Sequence, residues 1–162
     1  MAYLERDRAA SIVKWRRIFG DGFAPKECVA VTQNHTSLPS NFHDIEWPTS
    51  ESIWKLNVEA VLQKEESSPF LGNLSNYTLL PKGHVVRFSI LDELDRRTKI
   101  YWQVVNSGEE AEKNKCLRGG FKKGKLIREE STSYKGRHWV EAVAVKQGVC
   151  IARSGPIAVN IA

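Results

Sequence analysis

Two adjacent carboxylates, Glu109 and Glu110, follow an aromatic run in "YWQVVNSGEEA", Tyr101 to Ala111, and paired carboxylates can serve acid and base chemistry. Neighbours in sequence diverge in direction within a loop, so a second reading stands beside the first. Asn106 and Gly108 shape a turn, while Ala111 and one glutamate begin a brief helical turn over the strand end. Asp44 and Glu46 in "HDIEW" have the D-x-E spacing that holds two metal ions in polymerase-like nucleotidyltransferases. That chemistry also needs a Gly-Ser on a preceding helix and a third carboxylate on a neighbouring strand, and neither is identifiable. Two exposed acids in a proline-rich segment is the preferred reading. His35, His43, His84 and His138 lack metal-site spacing, and there is no Walker-type loop, G-x-G-x-x-G or nucleophile elbow. Neither a metal nor a cofactor is expected, and without a complete constellation the chain reads as a non-enzyme.

Binding chemistry is better represented. In "LRGGFKKGK" consecutive glycines let backbone N–H groups converge on an anion, Arg118 can fork onto a phosphate, Phe121 can stack on a base and Lys122 adds charge. The competing reading is a glycine-rich hairpin whose lysines protect an edge strand from aggregation. "CIARSGP" poses the same choice: Arg153 and Ser154 at a bulge contact a ligand, or Arg153 pairs with a carboxylate such as Glu141.

Strands must position these residues. In "WKLNVEAVLQ" Trp54, Leu56, Val58, Ala60 and Leu62 share one phase and polar residues the other, the signature of a half-buried strand. "LPKGHVVRFSI", "TKIYWQVVN", "GRHWVEAVAV" and "VCIARSGPIAVNI" read likewise, with weaker strands at "CLRGGF" and "KLIREES" and an antiparallel turn at "KQG". Gly155 and Pro156 require a bulge or a sheet switch. With no helical crossovers, these strands predict an immunoglobulin-like antiparallel β-sandwich. Trp102 is the expected core tryptophan and Tyr134 the expected corner tyrosine. Ahead of them "RDRAASIVKWRRIFGDGF" reads as a short amphipathic helix, and residues 24–50 as irregular connection with one short strand near "CVAV". The expected division is residues 1–50, helix and connection, and 51–162, sandwich.

At 162 residues the chain suits one domain with a substantial core. Apolar residues make up 41% and charged residues 27%, a globular balance. No apolar run approaches a bilayer span and the first twenty residues are too charged for a signal peptide, so the expected location is the cytoplasm, without a membrane partner. Cys28, Cys116 and Cys150 are scattered, which supports neither a disulfide framework nor a zinc site. The formal charge of +5 leans toward anionic partners, and its basic residues concentrate in Lys14 to Arg17 and Lys113 to Arg128.

Four blocks in order, "YWQVVNSGEEA", "LRGGF", "EESTSYKGRHWVEAVAV" and "GVCIARSGPIAVNI", resemble the adenylyl/guanylyl cyclase and SMODS C-terminal sensor domain, found with bacterial cyclic-oligonucleotide synthases of antiphage (CBASS) signalling. "KWRRIFGD", "WKLNVEAVLQ" and "LPKGHVVRFSI" resemble that family's approach to the domain. The resemblance implies a cytoplasmic, non-catalytic module that senses a nucleotide or another phage-derived signal and informs an attached synthase or effector. No nucleotidyltransferase, nuclease or transmembrane partner is recognisable in the sequence, which leaves an excised C-terminal domain and a free-standing sensor both open. The expected ligand is a cyclic nucleotide or oligonucleotide, met by Asn106, Glu109, Arg118, Phe121, Lys122, His138, Arg153 and Ser154. The alternatives are a module docking a nucleotidyltransferase or effector, and a general nucleic-acid-binding domain.

Overall fold

A two-residue apolar period can bury its apolar face only when strands pair and the resulting sheets stack. The computed structural model describes residues 38–162, of which Pro39–Ala162 form one compact unit. The expected N-terminal helix and the strand near "CVAV" lie outside the described residues. Ten strands occur among those described: β1 (Thr49–Lys55), β2 (Val58–Gln63), β3 (Phe70–Asn73), β4 (Val85–Ile90), β5 (Thr98–Val105), β6 (Arg118–Gly124), β7 (Ile127–Ser131), β8 (Gly136–Lys146), β9 (Val149–Arg153) and β10 (Ile157–Ile161). A short helix, α1 (Glu109–Lys113), follows β5, and a 3-10 turn spans Leu74–Asn76.

The first sheet runs β1-β9-β8-β5-β6, with β10 also paired to β8, and the second runs β3-β2-β4-β7. The chain passes from β4 in the second sheet to β5 and β6 in the first, back to β7, and again to β8. This is the exchange of an immunoglobulin-like sandwich, with β5, β8 and β9–β10 in the places of strands C, F and G. Its ladders are antiparallel except that β1 lies parallel to β9.

One expectation needs correction. "WKLNVEAVLQ" is two strands in different sheets, broken at Leu56 and Asn57. Leu56 N–H donates to the Arg153 carbonyl at 2.9 Å, and Asn57 N–H donates to Asp92 Oδ2 at 2.6 Å. The apolar phase continues across the break because the crossing residue, Leu56, is itself buried in the core.

Between the sheets, Leu62, Val86, Phe88 and Ile90 meet Ile100, Trp102, Val104, Val140 and Ala142. Trp102 is 1% exposed and its β8 partner is the small Ala142, which leaves room for the indole. Its ring centroid lies 6.3 Å from that of Phe88, and its Nε1–H donates to the Lys125 carbonyl at 2.8 Å. A Cβ on Gly124 would come within 2.6 Å of the indole, so this glycine makes space for the ring. At the β8–β9 turn both Gln147 and Gly148 have positive φ, 52° and 80°, the type I′ geometry that matches strand twist. β9 and β10 both stay on β8 across the "RSGP" interruption. There Ser154 stitches the break to β8: its N–H donates to the Ala142 carbonyl, and its Oγ accepts from Ala142 N–H at 3.0 Å.

Residues 39–48 form an irregular strap on the outer face of the first sheet. Gln103 is fully buried and holds this strap through both ends of its amide. Its Oε1 accepts from His43 N–H at 2.7 Å and its Nε2 donates to the His43 carbonyl at 3.0 Å. Trp47 caps Tyr101 and Phe121, with ring centroids at 4.4 and 5.6 Å.

Candidate functional site

The loop after β5 is built by hydrogen bonds. Asn106 N–H donates to the Leu117 carbonyl at 2.7 Å, and its Nδ2 donates to the Cys116 carbonyl at 2.7 Å. Gly108, at φ +98°, lies against the Lys135–Gly136 backbone, and a Cβ on Gly136 would meet the Ser107 carbonyl at 2.7 Å. Helix α1 then covers the strand end with Ala111, which is fully buried.

The two glutamates of this loop separate. Glu109 is exposed and, among the described residues, its carboxylate meets Lys113 alone. Glu110 accepts from Lys82 Nζ at 2.5 Å and from Lys135 N–H at 2.7 Å, and these donors, Lys82 first, hold its carboxyl below the usual range. It therefore anchors the β7–β8 connection to the turn before β4.

His138 is buried beneath the same loop. Ser107 N–H points at its Nδ1, at 3.4 Å, and its Nε2 lies 2.8 Å from the Tyr134 carbonyl. That pairing suits a neutral ring with the proton on Nε2. Burial lowers its pKa, opposed by the Tyr134 hydrogen bond. Thr132, which sequence reasoning missed, ties β7 to the turn before β4: its Oγ1 accepts from His84 N–H at 2.9 Å and donates to the Pro81 carbonyl at 2.8 Å. A lone threonine between strand runs carries no signal that would have singled it out. Tyr134 is half-buried, with its hydroxyl against the Cys116 thiol, which raises the phenol's pKa.

Across the open edge of the sandwich, β6 of one sheet faces β7 of the other. The β5–β6 register slips by one residue between Gln103 and Val105, making a bulge with positive φ at Arg118, Gly119 and Gly120. Asn41 of the strap fills it: Nδ2 donates to the carbonyls of Asn106, Leu117 and Arg118 at 3.2, 2.9 and 3.0 Å. A Cβ on Gly119 would lie 2.2 Å from the Asn41 carbonyl, and Gly120 N–H donates to Gln103 at 3.1 Å. The two glycines thus receive the strap. The bulge also turns Arg118 toward β7, where it grips Glu130 with both terminal nitrogens, at 2.6 and 3.3 Å. Glu130 also accepts from Arg128 Nε at 2.6 Å.

Asn106, Arg118, Glu130, Tyr134 and His138 line a cleft of about 60 Å³ that runs inward to Phe88 and Val140. A pocket for a drug-sized ligand is roughly 300 Å³ or more, so this cleft admits water or a protruding group and no nucleotide. Arg118 and Lys122 also border a recess of about 50 Å³ floored by Trp102 and Val104. The other residues singled out from sequence lie apart. Phe121 is on the opposite side of β6, beneath Trp47. Arg153 and Ser154 lie beyond β8, where Arg153 Nε donates to Glu141 at 2.8 Å. Glu141 is wholly buried, which pushes its pKa up against the pull of Arg153.

Asp44 and Glu46 are exposed on the strap, and among the described residues no three potential ligands cluster to hold a metal. No described helix is long and apolar enough to cross a membrane.

No curated protein and no solved structure matches the chain. One family's sequence model does, over residues 36–162, a span that takes in the strap, both sheets and the bonded loop. The chain therefore belongs to the Adenylyl/Guanylyl and SMODS C-terminal sensor domain family.

Proposed function

We propose that this sensor domain serves a bacterial antiphage nucleotide-signalling system, recognising a cyclic nucleotide or oligonucleotide at its rim and relaying occupancy to an attached or partner nucleotidyltransferase or effector. The observation that carries this reading is the Arg118–Glu130 pair, which joins the edge strands of opposite sheets at the cleft mouth. Their side chains are 37% and 17% exposed, so the guanidinium fork is within reach of an incoming phosphate. A phosphate accepts the same two-pronged guanidinium fork as a carboxylate and so can compete with Glu130 for Arg118. Arg128 keeps Glu130 paired after the exchange, and the link between sheets changes state.

Calorimetry with cyclic di- and trinucleotides tests the reading. Saturable binding weakened about tenfold or more by Arg118→Ala is the expected result, since a charge-assisted hydrogen bond contributes about 1.5–3 kcal/mol. Silence of the unaltered protein across a broad nucleotide panel would sink it.

A second reading, docking of a protein partner, is favoured by Phe70 and Leu71 on the edge strand β3, which are 59% and 53% exposed. Under that reading Phe70→Ser abolishes co-purification with the synthase or effector while nucleotide binding is unchanged. Retained co-purification counts against it.

A further inference from the structure

The turn between β4 and β5 and the turn between β6 and β7 are distant in sequence, yet the β5–β6 pairing sets them side by side. Between them lies an open groove of about 670 Å³ bordered by Arg96, Arg97, Lys99, Lys123 and Lys125. All five cations are exposed. Lys99 and Lys125 flank the last pair of the ladder, Ile100 with Gly124, and like charges set together in this way repel.

Among the described residues a single carboxylate, Asp95, borders the groove, and it is already engaged. Arg97 N–H donates to its Oδ1 at 2.7 Å and Lys146 Nζ to its Oδ2 at 2.9 Å; the Arg97 guanidinium approaches only to 3.9 Å. Nearby Asp92 is bonded to Asn57. Arg96, Lys99, Lys123 and Lys125 thus have no charge partner among the described residues, around a floor of Leu94, Ile100 and Leu126.

We propose that this groove binds the phosphodiester chain of a single-stranded oligonucleotide. Cations distributed along two walls suit a linear polyanion, which brings one phosphate after another past them. A compact cyclic dinucleotide is a poorer fit, because among the described residues no aromatic ring lines the groove to stack on its bases. Recognition here is of the backbone and is indifferent to sequence. The inference rests on the sensor reading above and narrows its ligand to an oligonucleotide. It adds phosphate contacts at the end of β6 opposite Arg118.

The test is fluorescence anisotropy on the full chain with a labelled single-stranded 12-mer, alongside a cyclic dinucleotide. The expected result is binding whose logarithm falls linearly with log salt. Four neutralised phosphates correspond to a slope of about −2.8, a loss of about fiftyfold between 50 and 200 mM. Lys123→Glu with Lys125→Glu lowers affinity at least tenfold and flattens the slope, while Lys64→Glu, an exposed lysine elsewhere, changes it less than twofold. Circular dichroism melting of the three variants guards against unfolding, and Lys123→Gln with Lys125→Gln repeats the measurement with a milder change.

Oligonucleotide binding that none of these substitutions weakens, or that Lys64→Glu weakens equally, overturns the groove and leaves the sensor reading standing. So does binding of the cyclic dinucleotide alone. If the unaltered protein binds neither probe, the groove proposal fails together with the reading on which it rests.

Discussion

The two ends of β6 use polar residues in opposite ways. At the Arg118 end, Asn41, Asn106, Ser107, Glu110, Thr132 and His138 are each joined to a backbone group or partner in the surrounding loops. At the other end, Arg96, Lys99, Lys123 and Lys125 face solvent with no charge partner among the described residues. Polar residues of the first kind hold a shape, since a buried group that loses its partner costs about 1–3 kcal/mol. Polar residues of the second kind contribute little to stability and are free to meet a ligand. Residue type alone does not separate the two, as Arg118 and Lys125 lie in one short basic stretch of sequence.

The sharpest way to break this contrast is at Gly136. Gly136→Ala drives a Cβ toward the Ser107 carbonyl at a positive φ of 134°, and the expected destabilisation is about 1–3 kcal/mol, read as a lower denaturant midpoint with unchanged slope. Thr132→Val comes next: it removes the hydrogen bonds of the buried hydroxyl and strands His84 N–H, at about 1–3 kcal/mol by the same measurement. A midpoint unmoved in either variant would mean that the loop end is not the structural one.

Acid provides a finer test. His138 has a lowered pKa in the folded state, so its contribution is present above the ordinary histidine value of about 6.5 and is lost as pH falls through the depressed folded value. Glu141, raised by burial, works in the opposite direction as pH falls, so the His138 share is read as a difference: between about pH 7.5 and 5 the denaturation midpoint of the unaltered protein should drop relative to that of His138→Gln. Glu110, also lowered, adds a separate loss that begins only as pH drops below the ordinary carboxylate range, and Glu110→Gln should abolish that part. The smallest effect belongs to the other end, where Lys123→Ala and Lys125→Ala should each leave stability within about 0.5 kcal/mol. A larger change would erase the distinction between the two ends.

Much of the frame was legible because alternation reports burial directly. Trp102 on a middle strand, the "KQG" turn, the Gly-Pro interruption and the brief helical turn after Gly108 all follow from local chemistry. The break at Leu56 was hidden, because the alternation runs unbroken through a residue that crosses from sheet to sheet while staying in the core. β3 was missed: only four residues long, it owes its place to pairing with β2. The candidate site was less legible still. Arg118 reads as a free fork until β7 supplies Glu130, and the twin glycines read as an anion cradle until the strap occupies them. Arg96 and Arg97 attracted no notice, because their importance depends on a ladder that carries Lys123 and Lys125 to meet them.

The strap belongs to the described fold although none of it is strand. Removing residues 39–48 would keep every described strand, yet it would strip Gln103 of its two tethers to His43, uncover Tyr101 and leave three carbonyls around the bulge without the Asn41 amide. Anyone excising this domain by its strands alone would obtain a sandwich with a wet, unzipped flank.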